Sequence, residues 1–81
     1  MRETTETKQR RILNALLQGR KLTPFDANGI GKTSDGTRFI RRIREKWPVK
    51  DMRVAGERYH LYWMDEDFLL EWWKSGQSMA V

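Results

Sequence analysis

At 81 residues the chain has room for one small domain with a single core, and 38% hydrophobic against 33% charged residues is the balance of a chain that folds. The absence of cysteine and the single histidine exclude disulfide staples, cysteine-based zinc sites and a histidine-rich metal centre; the apolar runs fall far short of a membrane span and the charged, threonine-containing start is not a secretory leader, so a cytoplasmic protein is expected. The net charge of +5 is uneven, with 15 basic and 7 acidic groups in residues 1–64 against one and four in residues 65–81; a basic body calls for a polyanion, nucleic acid first, although ribosomal or membrane-surface binding also fits charge alone.

A first helix is predicted from Thr7 to Gly19, because Ile12, Leu13, Leu16 and Leu17 form one apolar stripe at helical spacing while Arg11, Asn14 and Gln18 face away. Gly19 ends it. A second, short helix opens at Leu22-Thr23-Pro24-Phe25-Asp26. Thr23 is placed as N-cap, Pro24 takes the first helical position without losing a donor, and Asp26 completes a capping box. This helix is expected to run through Ala27 and stop in a glycine-containing turn at Asn28-Gly29-Ile30-Gly31, after which polar Lys32-Thr33-Ser34-Asp35-Gly36 leads into a third helix.

The third helix is predicted from Ser34 or Thr37 to Lys46. Phe39, Ile40, Ile43 and Trp47 cluster within about 100° of arc, and the opposite arc holds Arg38, Arg41, Arg42 and Glu45. Pro48 forbids continuation. From Val49 to Met64 the period becomes two, and a two-residue Gly56-Glu57 turn of type II′ sets a hairpin register in which Val54 faces Tyr59 and Met52 faces Leu61. These pairs share with Lys50 and Trp63 the face expected to meet the core, leaving Asp51, Arg53, His60 and Tyr62 for solvent. Asp65 is placed to cap a last helix in which Glu66 and Asp67 complement the helix dipole and Phe68, Leu69, Trp72 and Trp73 share one face; Ser75-Gly76 ends it before a frayed tail.

The fold class implied is α+β: a winged helix-turn-helix of three helices, a β-hairpin wing and a C-terminal helix, in one domain over residues 1–81 whose core spans about residues 7–75. In that order of elements the third helix is the one that enters a major groove. Arginine's planar fork reads a guanine edge or clamps a phosphate. Ser34, Thr37, Arg38 and Arg41 are therefore assigned to groove contacts, with Thr33 beside them, and Arg42, Arg44 and Lys46 mainly to phosphates. Arg53 and Arg58, flanking the hairpin turn, are assigned to the neighbouring minor groove or backbone, and Lys32 to phosphate at the turn. A charge run on a helix is more often only its solvated face; here the arginines lie on the helix that topology selects, opposite its apolar stripe.

With these residues in view, the segment from Lys8 to Trp63, about two thirds of the chain, resembles a family of small helix-turn-helix domains common in phages and prophages of bacteria. The matching pieces are Gln9-Arg10-Arg11-Ile12-Leu13, Leu22-Thr23-Pro24 with Ala27, Ile40 with Ile43, and Trp47-Pro48-Val49, of which Leu-Thr-Pro and Trp-Pro-Val are the most specific. The sequence departs from the family at Thr33-Ser34-Asp35-Gly36, and the C-terminal helix lies outside the match. The resemblance implies a winged-helix fold that binds double-stranded DNA; the leading expectation is a sequence-specific phage or prophage transcription regulator that occupies a site without chemistry, in the nucleoid of a bacterial host cell.

Other signals carry less. Gly31-Lys32-Thr33 is a fragment of a phosphate-loop motif whose first glycine position is occupied by Asp26. His60 has no partner set for catalysis, so no enzymatic role, cofactor or small-molecule ligand is expected. Only Tyr62 and Tyr59 are offered for the base stacking that RNA binding uses. Trp72 and Trp73 either cover the core or expose a patch; an exposed Trp73 makes a homodimer through the C-terminal helix the expected assembly, with two third helices on a palindrome. The competing functions are an architectural DNA-bending factor for excision, replication or packaging, and a protein-interaction module that uses the tryptophan helix.

Overall fold

The structure, a computed structural model, describes residues 4–75; the expected fraying of the termini and Gly76 lie outside the described residues. Helix α1 spans Thr5–Leu17, α2 Pro24–Gly31 and α3 Gly36–Arg44; strands β1 (Val49–Arg53) and β2 (His60–Met64) form an antiparallel pair, and α4 covers Glu66–Lys74. This is the α+β layout expected, with each element near its predicted place. Among the described residues no helix is long and apolar enough to cross a membrane.

Helix α1 starts two residues before the predicted Thr7, because Thr4 caps it: its Oγ1 accepts from the Thr7 N–H at 3.1 Å. Gly19, at φ +87°, ends it with Gly19 N donating to Leu16 O and Arg20 N to Ala15 O, the paired bonds of a Schellman motif. Ile12, Leu16 and Leu17 are fully buried and Leu13 packs beside them. Arg11 and Asn14, expected to face away, are instead half-buried, since α2 lies against that flank and Arg11 Nε donates to Ile30 O at 3.3 Å.

At the head of α2 the capping box is present, with Asp26 N donating to Thr23 Oγ1 and Thr23 N to Asp26 Oδ2, both at 3.1 Å. The predicted stop at Asn28-Gly29-Ile30-Gly31 is corrected: these four residues are helical. Gly31 is buried where a Cβ would stand 3.0 Å from Ile12 Cδ1, so its smallness serves helix packing, not a turn. The turn comes later, at Lys32, which takes the left-handed conformation at φ 53° and is the C-cap. Asn28 organises it, its backbone carbonyl accepting from both Lys32 N and Thr33 N while its Oδ1 accepts from Gly36 N at 2.8 Å.

Helix α3 starts at Gly36, between the two predicted starts Ser34 and Thr37, and ends at Arg44, short of the predicted Lys46. Ser34 stands before it, and Lys46 lies in a tightened turn in which Glu45 N donates to Arg42 O and Lys46 N to Ile43 O. Phe39, Ile40 and Ile43 are buried against α1 and α2. Trp47 receives α4 edge-on, its ring 6.2 Å from Phe68 and 5.8 Å from Trp72. Leu69 and the ring of Trp72 close the core there, whereas Trp73 is 45% exposed and donates Nε1–H to Leu17 O at 2.9 Å, satisfying a carbonyl that α1 leaves open. The two indoles thus divide the roles posed as alternatives for them. Asp65 stands at the N-cap position of α4 without capping it; its carboxylate pairs with Lys50 at 2.5 Å.

The hairpin register is as predicted, Met52 opposite Leu61 and Val54 N bonded to Tyr59 O at 3.1 Å. Two features differ. The connection is a four-residue loop, Ala55 to Arg58, in which Glu57 N donates to Val54 O and Gly56 takes φ +80° at the third turn position, as a type II turn requires, not the first position of a type II′ turn. The faces are also reversed. Val49 and Met64 are buried and Tyr62 packs on the core, so their face, with Asp51 and His60, turns inward; Lys50, Met52, Leu61 and Trp63 turn outward, Met52 being 58% exposed. The cause lies at the sheet edge, where Leu22 N donates to Tyr62 O at 2.8 Å and Tyr62 N to Leu22 O at 2.7 Å, with Leu22 itself fully buried. That bridge, with Val49 pinned after Pro48, decides which parity meets the core.

Candidate nucleic-acid interface

Helix α3 carries its arginines by periodicity. With Phe39, Ile40 and Ile43 inward, a rotation of about 100° per residue turns Arg38, Arg41 and Arg42 to the far side, and all three are exposed. Among the described residues none of the three pairs with a carboxylate. Three of the helix's arginines, Arg41, Arg42 and Arg44, lie in its last turn, where the helix dipole favours cations. Among the described residues no carboxylate neutralises Arg38, Arg41 or Arg42, which leaves their charge facing outward.

Arg44 is different. It lies on the flank of α3 nearest the sheet, and its Nη2 stands 2.9 Å from Asp51 Oδ1. Asp51 Oδ2 accepts from His60 Nδ1 at 2.6 Å, and the His60 ring stacks on Tyr62 with 26° between the planes. One carboxylate therefore ties α3 to both strands of the hairpin. The His60 hydrogen bond first, and then the Arg44 guanidinium, hold the Asp51 carboxyl below the usual carboxylate range, against the opposing pull of partial burial. A carboxyl lowered in the folded state contributes stability that is fully present above the ordinary carboxylate pKa and is lost as pH falls through the lowered value. Thermal melts of the native protein and Asp51→Asn at a series of acid pH values are expected to converge as Asp51 takes up its proton; a difference constant with pH would refute the clamp.

Between α3 and the hairpin runs a groove of about 300 Å³ lined by Ile40, Arg41, Arg44, Asp51, His60 and Tyr62. Arg41 thus borders both the open helix face and the groove. Arg53, opposite His60 in the register, lies next along β1 with Nε donating to Glu57 O at 3.2 Å, and Arg58 is exposed in the loop. The other predicted contacts flank α3: Lys32 and Ser34 are exposed in the preceding turn, Thr33 is half-buried with Oγ1 accepting from Asp35 N at 3.0 Å, Thr37 is half-buried in the first turn, and Lys46 is exposed after the last. The structure therefore groups Arg38, Arg41 and Arg42 on one helix face and Lys32, Ser34 and Lys46 at its ends, with Arg53 and Arg58 at the hairpin tip. Trp72 and Trp73 belong to α4.

Sequence reasoning missed three residues that build this surface. Asn28 and Gly36 set how closely α2 and α3 approach; a Cβ at Gly36 would lie 2.6 Å from Asn28 Oδ1 and 2.8 Å from Ala27 Cβ. Asp51 was assigned to solvent. An acid two residues into an otherwise basic and apolar strand, with histidine on the partner strand, was the available signal. Comparison of the chain with protein-family models, with curated proteins and with solved structures returns no significant match.

Proposed function

We propose that the chain is a DNA-binding protein of the winged helix-turn-helix type that lays α3 in the major groove of duplex DNA, with the hairpin as its wing. The observation that carries this reading is the set of Arg38, Arg41 and Arg42, exposed and without carboxylate partners among the described residues, on the face of α3 opposite its buried stripe. A helix about 10–12 Å in diameter fits a groove about 12 Å wide, and nine residues run for about 13.5 Å, so the side chains of α3 span a few base pairs. Arg41 and Arg38 read base edges, Arg42 and Lys46 hold phosphates, and Lys32 meets the backbone at the turn. Arg58 at the wing tip reaches the adjacent backbone or minor groove. Arg44 contributes by bracing the wing through Asp51. The role proposed is that of a phage or prophage transcription regulator, occupying a site without chemistry; the phage assignment rests on the family resemblance alone.

The test is the salt dependence of binding to duplexes selected from a random pool. If the cationic surface neutralises phosphates, log affinity falls linearly with log salt with a slope of about 0.9 per phosphate contacted. A recovered sequence motif together with a slope equivalent to several contacts supports the reading; no duplex binding at low salt overturns it.

A further inference from the structure

The outward face of the hairpin and the outward face of α4 complement each other. On the hairpin, Met52 and Leu61 sit side by side next to Lys50 and Trp63, and exposed Lys21 lies over the Trp63 ring at 5.7 Å. On α4, Leu70 is 52% exposed, with Glu66 and Asp67 one turn before it and Trp73 at its border. Glu66, Asp67 and Glu71 are exposed and, among the described residues, have no basic partner. One face is apolar and cationic; the other is apolar and anionic. The two are contiguous within the chain, joined by the Lys50–Asp65 ion pair and by a groove of about 460 Å³ lined in part by Lys21, Trp63, Glu66 and Leu69.

We propose that these faces form a two-fold homodimer in which α4 of each copy lies on the outer hairpin face of the other. Leu70 then packs near Met52 and Leu61, and the carboxylates of α4 meet Lys21, beside the Lys50–Asp65 pair. Because each copy carries both faces side by side, a two-fold axis satisfies both contacts at once and the assembly closes at two chains. Complementary charge also sets the partner: no other macromolecule is needed to supply either sign. The outer hairpin face lies on the side of the sheet opposite Asp51, which holds Arg44 of α3, so pairing leaves the arginine face uncovered. This inference does not rest on DNA binding.

Sedimentation velocity of the full chain over a range of concentration tests it. A reversible shift from one chain to two, weakened by added salt, is expected. Two variants carry like charges into the contact, Lys21→Glu with Met52→Glu, and Glu66→Lys with Leu70→Lys; all four side chains are exposed. Each variant alone is expected to self-associate at least about tenfold more weakly, while an equimolar mixture restores pairing as a heterodimer in native mass spectrometry. That rescue separates a broken contact from a broken fold. A native chain that stays monomeric, a dimer untouched by both variants, a mixture that fails to pair, or growth past two chains overturns the proposal. The Arg38→Ala, Arg41→Ala and Arg42→Ala triple variant should associate like the native chain, so failure here and failure of the DNA reading are told apart.

Discussion

Gly36→Ala is expected to destabilise the fold by about 1–3 kcal/mol, the usual range for forcing extra volume into a packed contact. The added carbon would stand 2.6 Å from Asn28 Oδ1 and 2.8 Å from both Ala27 Cβ and Asn28 N. Two of those three atoms belong to or adjoin the α2 backbone, so no rotamer change relieves the clash; α2 and α3 must separate. Separation also breaks the Gly36 N–H bond to Asn28 Oδ1 and moves the arginine helix relative to the rest. In a domain of this size each kcal/mol lowers the melting midpoint by roughly 4–8 °C. Gly29→Ala is the control: it sits in α2, the helix that Gly36 of α3 packs against, with nothing within 4 Å of the added carbon, and it is expected to stabilise by up to about 1 kcal/mol through helix propensity. Opposite shifts of the two melting curves are the expected result, and equal shifts would reject the account of α2–α3 contact.

The second large effect is on binding, with stability spared. Replacing Arg38, Arg41 and Arg42 together by alanine removes three exposed side chains that make no ion pair among the described residues, so the melting midpoint should change by no more than about 0.5 kcal/mol in stability. An arginine on a base edge is worth about 1–3 kcal/mol and one on a phosphate about one unit of salt slope. Duplex affinity should therefore fall at least about a hundredfold, with a shallower salt dependence. In a gel shift the native chain retards its selected duplex and the triple variant does not. Unchanged retardation with an unchanged melt would remove the proposed contact surface from consideration. Arg41→Ala alone should relax preference at one base position, because Arg41 borders both the helix face and the groove beside the hairpin.

Much of the fold was legible because the information was local. The apolar stripes of α1 and α3, the Thr23 capping box and the Pro48 break each act within one or two turns, and the hairpin register follows from the pairing of its two strands. What was not legible depended on distant partners. The two faces of the hairpin are almost equally mixed, Val49, Asp51, Tyr62 and Met64 against Lys50, Met52, Leu61 and Trp63, so pattern alone assigned the wrong side to the core. The choice is made by Leu22, forty residues before Tyr62, through its bridge to that residue. The glycines of α2 misled for a related reason: Gly31 looks like a helix stop but marks a helix contact with Ile12. Among the predicted contact residues, exposure of Arg38, Arg41 and Arg42 followed from the helical period, whereas the capture of Arg44 by Asp51 needed the third dimension.

The loop from Ala55 to Arg58 is wholly exposed, and a side chain at Gly56 would meet nothing. Its register is held from below by Val54 and Tyr59, so residues inserted between them would add only the slow cost of closing a longer loop, about 0.6 kcal/mol for each doubling of length. The span of the basic finger can therefore drift between related chains without disturbing the body that supports it. Chains built on this scaffold are free to differ first in the length of that finger, and only afterwards in the helix beside it.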